Sequence, residues 1–266
     1  MQKKLNQIIM CYNYSMKIGI IGLGLIGGSL FKDLSKEYDV IAVSQSQNGD
    51  EIYKSYDVLK DRDIVFVCTP MNKTLSVLDE LETILPSETI VTDTCSLKEF
   101  VCQKKRPYNF IPSHPMAGTE KKGFENSFEG LFKGAKWVII SNFPNFPGSN
   151  EITSVIEYLG ATPVLMNAKE HDEAVAIISH MPMVISQALM LTAIDNPLAL
   201  EIASSGFRDM TRLALSNEEM ACDMVSINHK NIEQAILKLY KSVGELISGN
   251  YPEIISELKD IRSKMF

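Results

Sequence analysis

The chain has 266 residues, 45% of them hydrophobic and 22% charged, and 26 Lys and Arg against 33 Asp and Glu give a formal net charge of −7. This is ordinary composition for a folded globular protein with room for two domains, and its acidic balance argues against a nucleic-acid surface while leaving open a small anionic ligand. The five cysteines, Cys11, Cys68, Cys95, Cys102 and Cys222, form no CxxC pair and no zinc spacing, which fits a reducing cytoplasm and no metal site.

Residues 1–15 have a basic start and an apolar core too short for a signal peptide; they are expected to be an N-terminal extension, disordered or marking an upstream start codon. Lys17–Ile21 is an apolar, β-branched run, the pattern of a strand buried on both faces. Gly22-Leu23-Gly24-Leu25-Ile26-Gly27 follows, then Ser29–Glu37 at helical spacing and a second strand over Asp39–Ser44. Further strands are expected at Asp63–Cys68, ending at Thr69-Pro70, at Thr89–Asp93 and at Trp137–Ile140. A helix is expected over Leu75–Ile84, and the short run Phe110-Ile111 leads into Ser113-His114-Pro115. Strands alternating with helices over about 150 residues predict an α/β fold with a doubly wound parallel sheet. After Pro163-Val164-Leu165-Met166 helical periodicity takes over, so residues 16–167 are expected to form one domain and 168–266 an all-helical second one. Pro182 should kink or divide the helical run Ile177–Leu191. Asp223–Ile247 and Glu253–Lys264 read as long amphipathic helices whose broad apolar stripes suit a second subunit. No apolar run approaches the roughly 20 residues that a membrane span requires, and no membrane partner is expected.

In the spacing Gly22-x-Gly24-x-x-Gly27 the first glycine permits a tight turn and the second lets backbone amides approach a pyrophosphate. The third allows close helix–strand packing, and the helix N-terminus adds partial positive charge. GxGxxG alone is weak; its place between a strand and a helix makes a dinucleotide the expected ligand, against a glycine turn that binds nothing. Cys68, Thr69, Pro70 and Thr94, after the next strands, are expected to face the same cofactor. At the end of the second strand an Asp or Glu would bind the ribose 2′-hydroxyl of NAD, but Ser44-Gln45-Ser46-Gln47 stands there. No carboxylate repels a 2′-phosphate and no arginine pairs with one. The reading leans to NADP, with dual use of NADP and NAD close behind, the alternative being a polar loop away from the ribose.

Of the four histidines, His114, His171, His180 and His229, no pair has a metal-binding spacing. His114 lies just past a short run expected to be a sheet strand, at the end where doubly wound folds bind ligands. An imidazole there suits taking a proton from an alcohol while hydride leaves the same carbon; a purely structural loop histidine is the alternative. Ser96 follows another strand at the same edge. It either orients a histidine or a substrate hydroxyl, or caps a helix starting at Leu97 with Glu99 in its first turn, and the cap is favoured. Gly206 suggests a break that leaves Arg208 near a helix start, where a guanidinium clamps a carboxylate or simply pairs with Asp209. His180 reads as a core histidine ahead of Pro182, and His171-Asp172 as a helix start with Asp172 favouring the dipole. His229 carries no signal.

Taken in order, five segments together resemble the prephenate/arogenate dehydrogenase family of tyrosine biosynthesis. They are Gly22 through Leu30, Thr92-Asp93 through Ser96-Leu97-Lys98, His114-Pro115-Met116-Ala117-Gly118-Thr119-Glu120, Ile178-Ser179-His180-Met181-Pro182 and Gly206-Phe207-Arg208-Asp209. The resemblance implies a Rossmann-type nucleotide domain, a helical dimerisation domain and a homodimer acting on a small molecule. The implied reaction is oxidative decarboxylation of a cyclohexadienyl substrate. Hydride leaves the ring carbon bearing the hydroxyl, the hydroxyl proton passes to His114, and the resulting dienone carboxylate loses CO₂ and becomes aromatic. It further implies that Ser96 hydrogen-bonds this centre, that His180, Gly118 and Thr119 line the substrate pocket, and that Arg208 holds a substrate carboxylate. Two departures stand out: Met183 where many prephenate-using members carry a second histidine, and Cys95 where many carry glycine. Met183 and Ser44 look more like the short arogenate enzymes that use NADP, yet no carboxylate is evident to receive the arogenate ammonium, so both substrates stay open. No segment resembling a chorismate mutase is expected before residue 17, and no ACT domain after the helices. Two other readings remain: another β-hydroxyacid or imine reductase on the same fold, which would place a catalytic lysine among the helices, and a nucleotide-binding module without catalysis, which would leave His114 and Ser96 unexplained.

Overall fold

The computed structural model describes residues 16–119, 121–141, 148–249 and 251–265; the expectation for residues 1–15 lies outside the described residues. The chain divides into two compact units, one running to Asp172 and taking in Leu215–Asp223, the other comprising Glu173–Ala214 and Met224 onward.

In the first unit β1 (Lys17–Ile21), β2 (Asp39–Val43), β3 (Ile52–Tyr53), β4 (Ile64–Val67), β5 (Ile90–Asp93) and β6 (Asn109–Phe110) form one parallel sheet in the order β3-β2-β1-β4-β5-β6. The Ile-Val-Phe-Val run of β4 is buried along its whole length, as a strand covered on both faces must be. The strand order reverses between β1 and β4, and the crevice at their carboxyl ends is where such sheets bind ligands. α1 (Leu25–Leu34) joins β1 to β2 and α2 (Met71–Leu81) joins β4 to β5. Both start four residues earlier than the periodicity suggests, because the preceding turns lead straight into helix: Gly24 is the first N-cap, and Pro70, with φ −52°, is the second.

A second sheet holds β7 (Ser113–Pro115), β8 (Lys136–Ile140) and β9 (Thr162–Met166), with β7 antiparallel and β9 parallel to β8. Trp137–Ile140 is thus a strand as expected, but it lies outside the nucleotide sheet. α3 (Ser149–Tyr158) precedes β9; like β3, it is absent from the sequence reading. Trp137 locks the two sheets together: buried, it meets Phe66 of β4 edge-on at 6.4 Å and tilts on Phe132 at 5.2 Å.

α4 (Ala168–Val175), a π turn at Ala176–His180 and α5 (Met181–Ile194) run on without interruption. Pro182 therefore neither ends nor divides the helix. It sits in the first turn of α5, just past the π turn, whose wider hydrogen-bond spacing absorbs the missing amide. The result is a 27-residue helix, Ala168–Ile194, long and apolar enough by length and composition to cross a membrane. A count of unbroken apolar residues does not reveal it. Three of its polar residues, His171, Asp172 and His180, are buried and hydrogen-bonded within the chain. The change of character at Ala168 is visible in sequence, yet packing carries the first unit on to Asp172, which bonds the amides of Lys98 and Glu99.

α6 (Pro197–Glu201), α7 (Ser205–Met210), α8 (Glu218–Ile227), α9 (His229–Ser248) and α10 (Tyr251–Met265) follow. The long helix expected from Asp223 is broken at Asn228, which leaves helical geometry with its side chain buried among polar partners. Ile178, Leu191, Leu198, Ile202, Tyr240 and Ile247 stand exposed on the second unit.

Candidate active site

The register of the parallel sheet sets the site. Ile21 pairs with Val43 and Val67, and Val67 with Asp93, so the residues just after these positions emerge together at one edge. They are Gly22–Gly27, Ser44, Cys68–Pro70 and Thr94, the positions read as cofactor-binding. The glycines are required by geometry at two of three places. Gly22 has φ +91°, and a Cβ there would stand 2.7 Å from the Cys68 carbonyl; a Cβ on Gly27 would stand 1.9 Å from the Gly22 carbonyl. Gly24 is different: nothing lies within 4 Å of its Cβ position, so a side chain there would fill open space. That clearance, beside the N-terminus of α1, whose N-cap Gly24 makes no side-chain hydrogen bond, is what a pyrophosphate needs to meet backbone amides.

At the end of β2 the Ser44 hydroxyl accepts from the Gln47 amide, 3.1 Å, folding residues 44–47 into a compact turn. Lys54 Nζ donates to the carbonyls of Ser44 (2.8 Å), Gln45 (3.3 Å) and Gln47 (2.7 Å). No arginine stands in this loop, as read; its positive charge comes from Lys54, ten residues beyond Ser44.

After β5 a buried polar network fixes the next strand. Asp93 and Lys98 are both 0% exposed and form an ion pair, and Lys98 Nζ also donates to the Ser113 carbonyl. Asp93 accepts from the amides of Cys95 (3.0 Å) and Ser113 (3.3 Å). The Ser113 hydroxyl donates to the Asp93 carbonyl (2.9 Å), accepts from Trp137 Nε1 (2.9 Å), and shares a 2.8 Å contact with Thr92 Oγ1. Ser113 is thus saturated, and the backbone carrying His114 is tied to β5.

His114, half-buried on β7 rather than in a loop, places Nδ1 2.9 Å from Nε2 of His171. His171 Nδ1 lies 2.7 Å from Asp172 Oδ1, and Asp172 accepts from the amides of Lys98 (2.8 Å) and Glu99 (2.9 Å). His171 and Asp172 are only 1% and 3% exposed. They are the fourth and fifth residues of α4, near its start as expected, but sequence reasoning assigned them nothing beyond a helix dipole. Their signal, two adjacent polar residues on a helix face that must be buried, shows only when α4 is placed.

Ser96 does not cap a helix: residues 98–102 form a turn, and its leading amides are taken by Asp172 instead. Ser96 Oγ lies 3.9 Å from Met71 Sδ. Gly118 and Thr119 are exposed on the segment after β7, where Thr119 Oγ1 accepts from the Lys121 amide. Cys95, the residue standing for a glycine, packs inward against Thr74, 3.0 Å. Burial pushes its thiol up to about 12, and desolvation does the same to Cys68 and Cys102, which keeps all three as neutral thiols at neutral pH. Among the described residues no cluster of His, Cys, Asp or Glu could hold a metal ion.

In the second unit His180 is buried at the end of the π turn, where Asn228 Nδ2 donates to its Nδ1 at 3.1 Å while Asn228 Oδ1 accepts from Asn231. Arg208 occupies the middle of α7 with its side chain 78% exposed, and its Nε lies 3.4 Å from Asp209. The helix break falls at 202–204, just ahead of Gly206.

Comparison with known proteins places this geometry. A family model described as "Prephenate dehydrogenase, nucleotide-binding domain" matches residues 32–165, and one described as "Prephenate dehydrogenase, dimerization domain" matches residues 167–255. The glycine loop precedes the first match, so its reading rests on its own geometry. The chain is 28% identical over 271 aligned positions to a prephenate dehydrogenase of Lactococcus lactis subsp. cremoris, covering 89% of this chain and 75% of that one. The Synechocystis arogenate dehydrogenase is 31% identical, with 94% of this chain and 97% of that chain covered and a TM-score of 0.77. The A. aeolicus prephenate dehydrogenase, solved with hydroxyphenyl propionate and NAD+, is 26% identical, with 94% and 96% covered and a TM-score of 0.79.

Proposed function

The chain belongs to the prephenate dehydrogenase family, and on that premise we propose that it catalyses the oxidative decarboxylation of prephenate or arogenate in tyrosine biosynthesis, with a nicotinamide cofactor. The observation that carries the reading is His114, set on β7 in the same unit as the glycine loop with its ring hydrogen-bonded to His171. When bound, the nicotinamide supplies the hydride acceptor. The open space at Gly24 fits the cofactor, and Gly22–Gly27, Cys68–Pro70 and Thr94 would hold it along one sheet edge. His114 takes the proton of the ring hydroxyl, a general-base role typically worth about 10²–10⁴-fold. Ser96 hydrogen-bonds the same centre, Gly118 and Thr119 contact the substrate, and the family resemblance assigns Arg208 to a substrate carboxylate and His180 to substrate binding. Loss of CO₂ then leaves an aromatic ring, which drives the step forward. The working division is a nucleotide domain over 16–167 and a substrate and dimerisation domain over 168–266.

For the cofactor we favour NADP over NAD. No carboxylate stands at 44–47 to repel a 2′-phosphate, and Lys54 brings positive charge to that turn. We also infer a homodimer through the helical unit: the exposed apolar residues there are what a second copy would bury, and they account for the apolar helix Ala168–Ile194 without a membrane. Four free cysteines among the described residues fit a cytoplasmic enzyme. The deciding assay offers purified protein prephenate or arogenate, each with NAD or NADP, and follows the absorbance of reduced nicotinamide. One pairing should turn over; failure of all four rejects the reading, and the winning pair names substrate and cofactor.

A further inference from the structure

We propose that His171 is a positioning residue for the catalytic base: with Asp172 it forms a relay that sets the tautomer of His114, leaving the lone pair on Nε2. The inference rests on the reading of His114 as the proton acceptor.

Asp172 Oδ1 already accepts from the Lys98 amide, and Oδ2 from the Glu99 amide. The carboxylate oxygen 2.7 Å from His171 Nδ1 is therefore an acceptor, and Nδ1 must carry the hydrogen. A neutral imidazole protonated at Nδ1 has its lone pair on Nε2. That lone pair faces His114 Nδ1 at 2.9 Å, so His114 must in turn carry its hydrogen on Nδ1. Its basic nitrogen is then Nε2. When Nε2 takes the hydroxyl proton, the O–H bond breaks, the C–H pair leaves as hydride, and the charge on His114 is met through Nδ1–H by His171 and, beyond it, the buried carboxylate. This is the orienting logic of a serine-protease triad, with an imidazole between carboxylate and base.

The relay is anchored at both ends to one turn. Lys98 donates its backbone amide to Asp172 and its ammonium to the Ser113 carbonyl, one residue before His114. The base on β7 and the pair on α4, 57 residues apart, are thereby indexed to the same residue. A packing role alone would not need a carboxylate bonded to two amides directly behind the imidazole.

Two measurements on the full-length protein test this. Long-range ¹H–¹⁵N correlation of the ring nitrogens, with His114 assigned by its loss in His114→Asn, should show His114 protonated at Nδ1 in the wild type. In His171→Leu that preference should vanish, and kcat should fall about 10–100-fold while KM and cofactor Kd change little, the scale for removing a partner that orients a working histidine. His171→Gln, which can return an acceptor oxygen to the position of Nε2, should recover most of the loss and guards against misfolding of the leucine variant. A wild-type His114 protonated at Nε2, or an unchanged kcat in folded His171→Leu, overturns the relay. A normal kcat in His114→Asn would instead overturn the base assignment on which the relay rests.

Discussion

Lys98→Met removes the cation from the most enclosed charged pair in the first unit. Asp93 keeps the amides of Cys95 and Ser113 but loses its counter-charge at 0% exposure, and the Ser113 carbonyl loses a donor. Breaking a buried pair from one side costs about 3–5 kcal/mol, mostly the stranded charge. For a chain of this size that corresponds to a Tm lower by roughly 6–20 °C. Urea titration followed by circular dichroism measures it as a fall in midpoint at constant m. Asp93→Asn combined with Lys98→Met removes the stranded charge and should recover part of the loss. A cost under about 1 kcal/mol, or a double variant at the sum of the single losses, would refute the assignment of the stability to a compensated buried charge.

Arg208→Ala should raise KM by roughly 10–150-fold, the equivalent of a charged hydrogen bond of about 1.5–3 kcal/mol, with kcat little changed; steady-state kinetics showing the same KM would leave Arg208 to its surface partner Asp209. Ser44→Asp should lower the kcat/KM ratio of NADP to NAD by at least about tenfold, because a carboxylate repels the 2′-phosphate; an unchanged ratio would place the ribose elsewhere. With Cys68, Cys95 and Cys102 raised from 9 to about 12, the unfolded chain releases these protons first, so stability should decline as pH rises from about 9 toward 12. A flat urea midpoint over that window would contradict the raised thiols, and rapid alkylation of Cys95 at pH 8 in the native protein would contradict its burial.

The sequence alone determined what short-range physics controls. Gly22 and Gly27 are glycine because of a backbone turn and a contact five residues apart, and the apolar, β-branched run of β1 reads as the buried strand that it is. His114 was legible too, through its place after a strand and the residues that follow it. Beyond that reach the reading failed in consistent ways. Pro182 promised a kink or a division, but whether its missing amide divides a helix depends on how the preceding turn rearranges, and here a π turn carries the helix through. Ser96 looked like a cap until Asp172, distant in sequence, took the amides of Lys98 and Glu99. Lys54 brought positive charge to the turn after β2 from outside the motif. Only the tertiary structure brought His171 and Asp172 behind His114. A hydrogen bond depends on positions in space, and two residues 57 apart carry no mark of one another until strand and helix are packed.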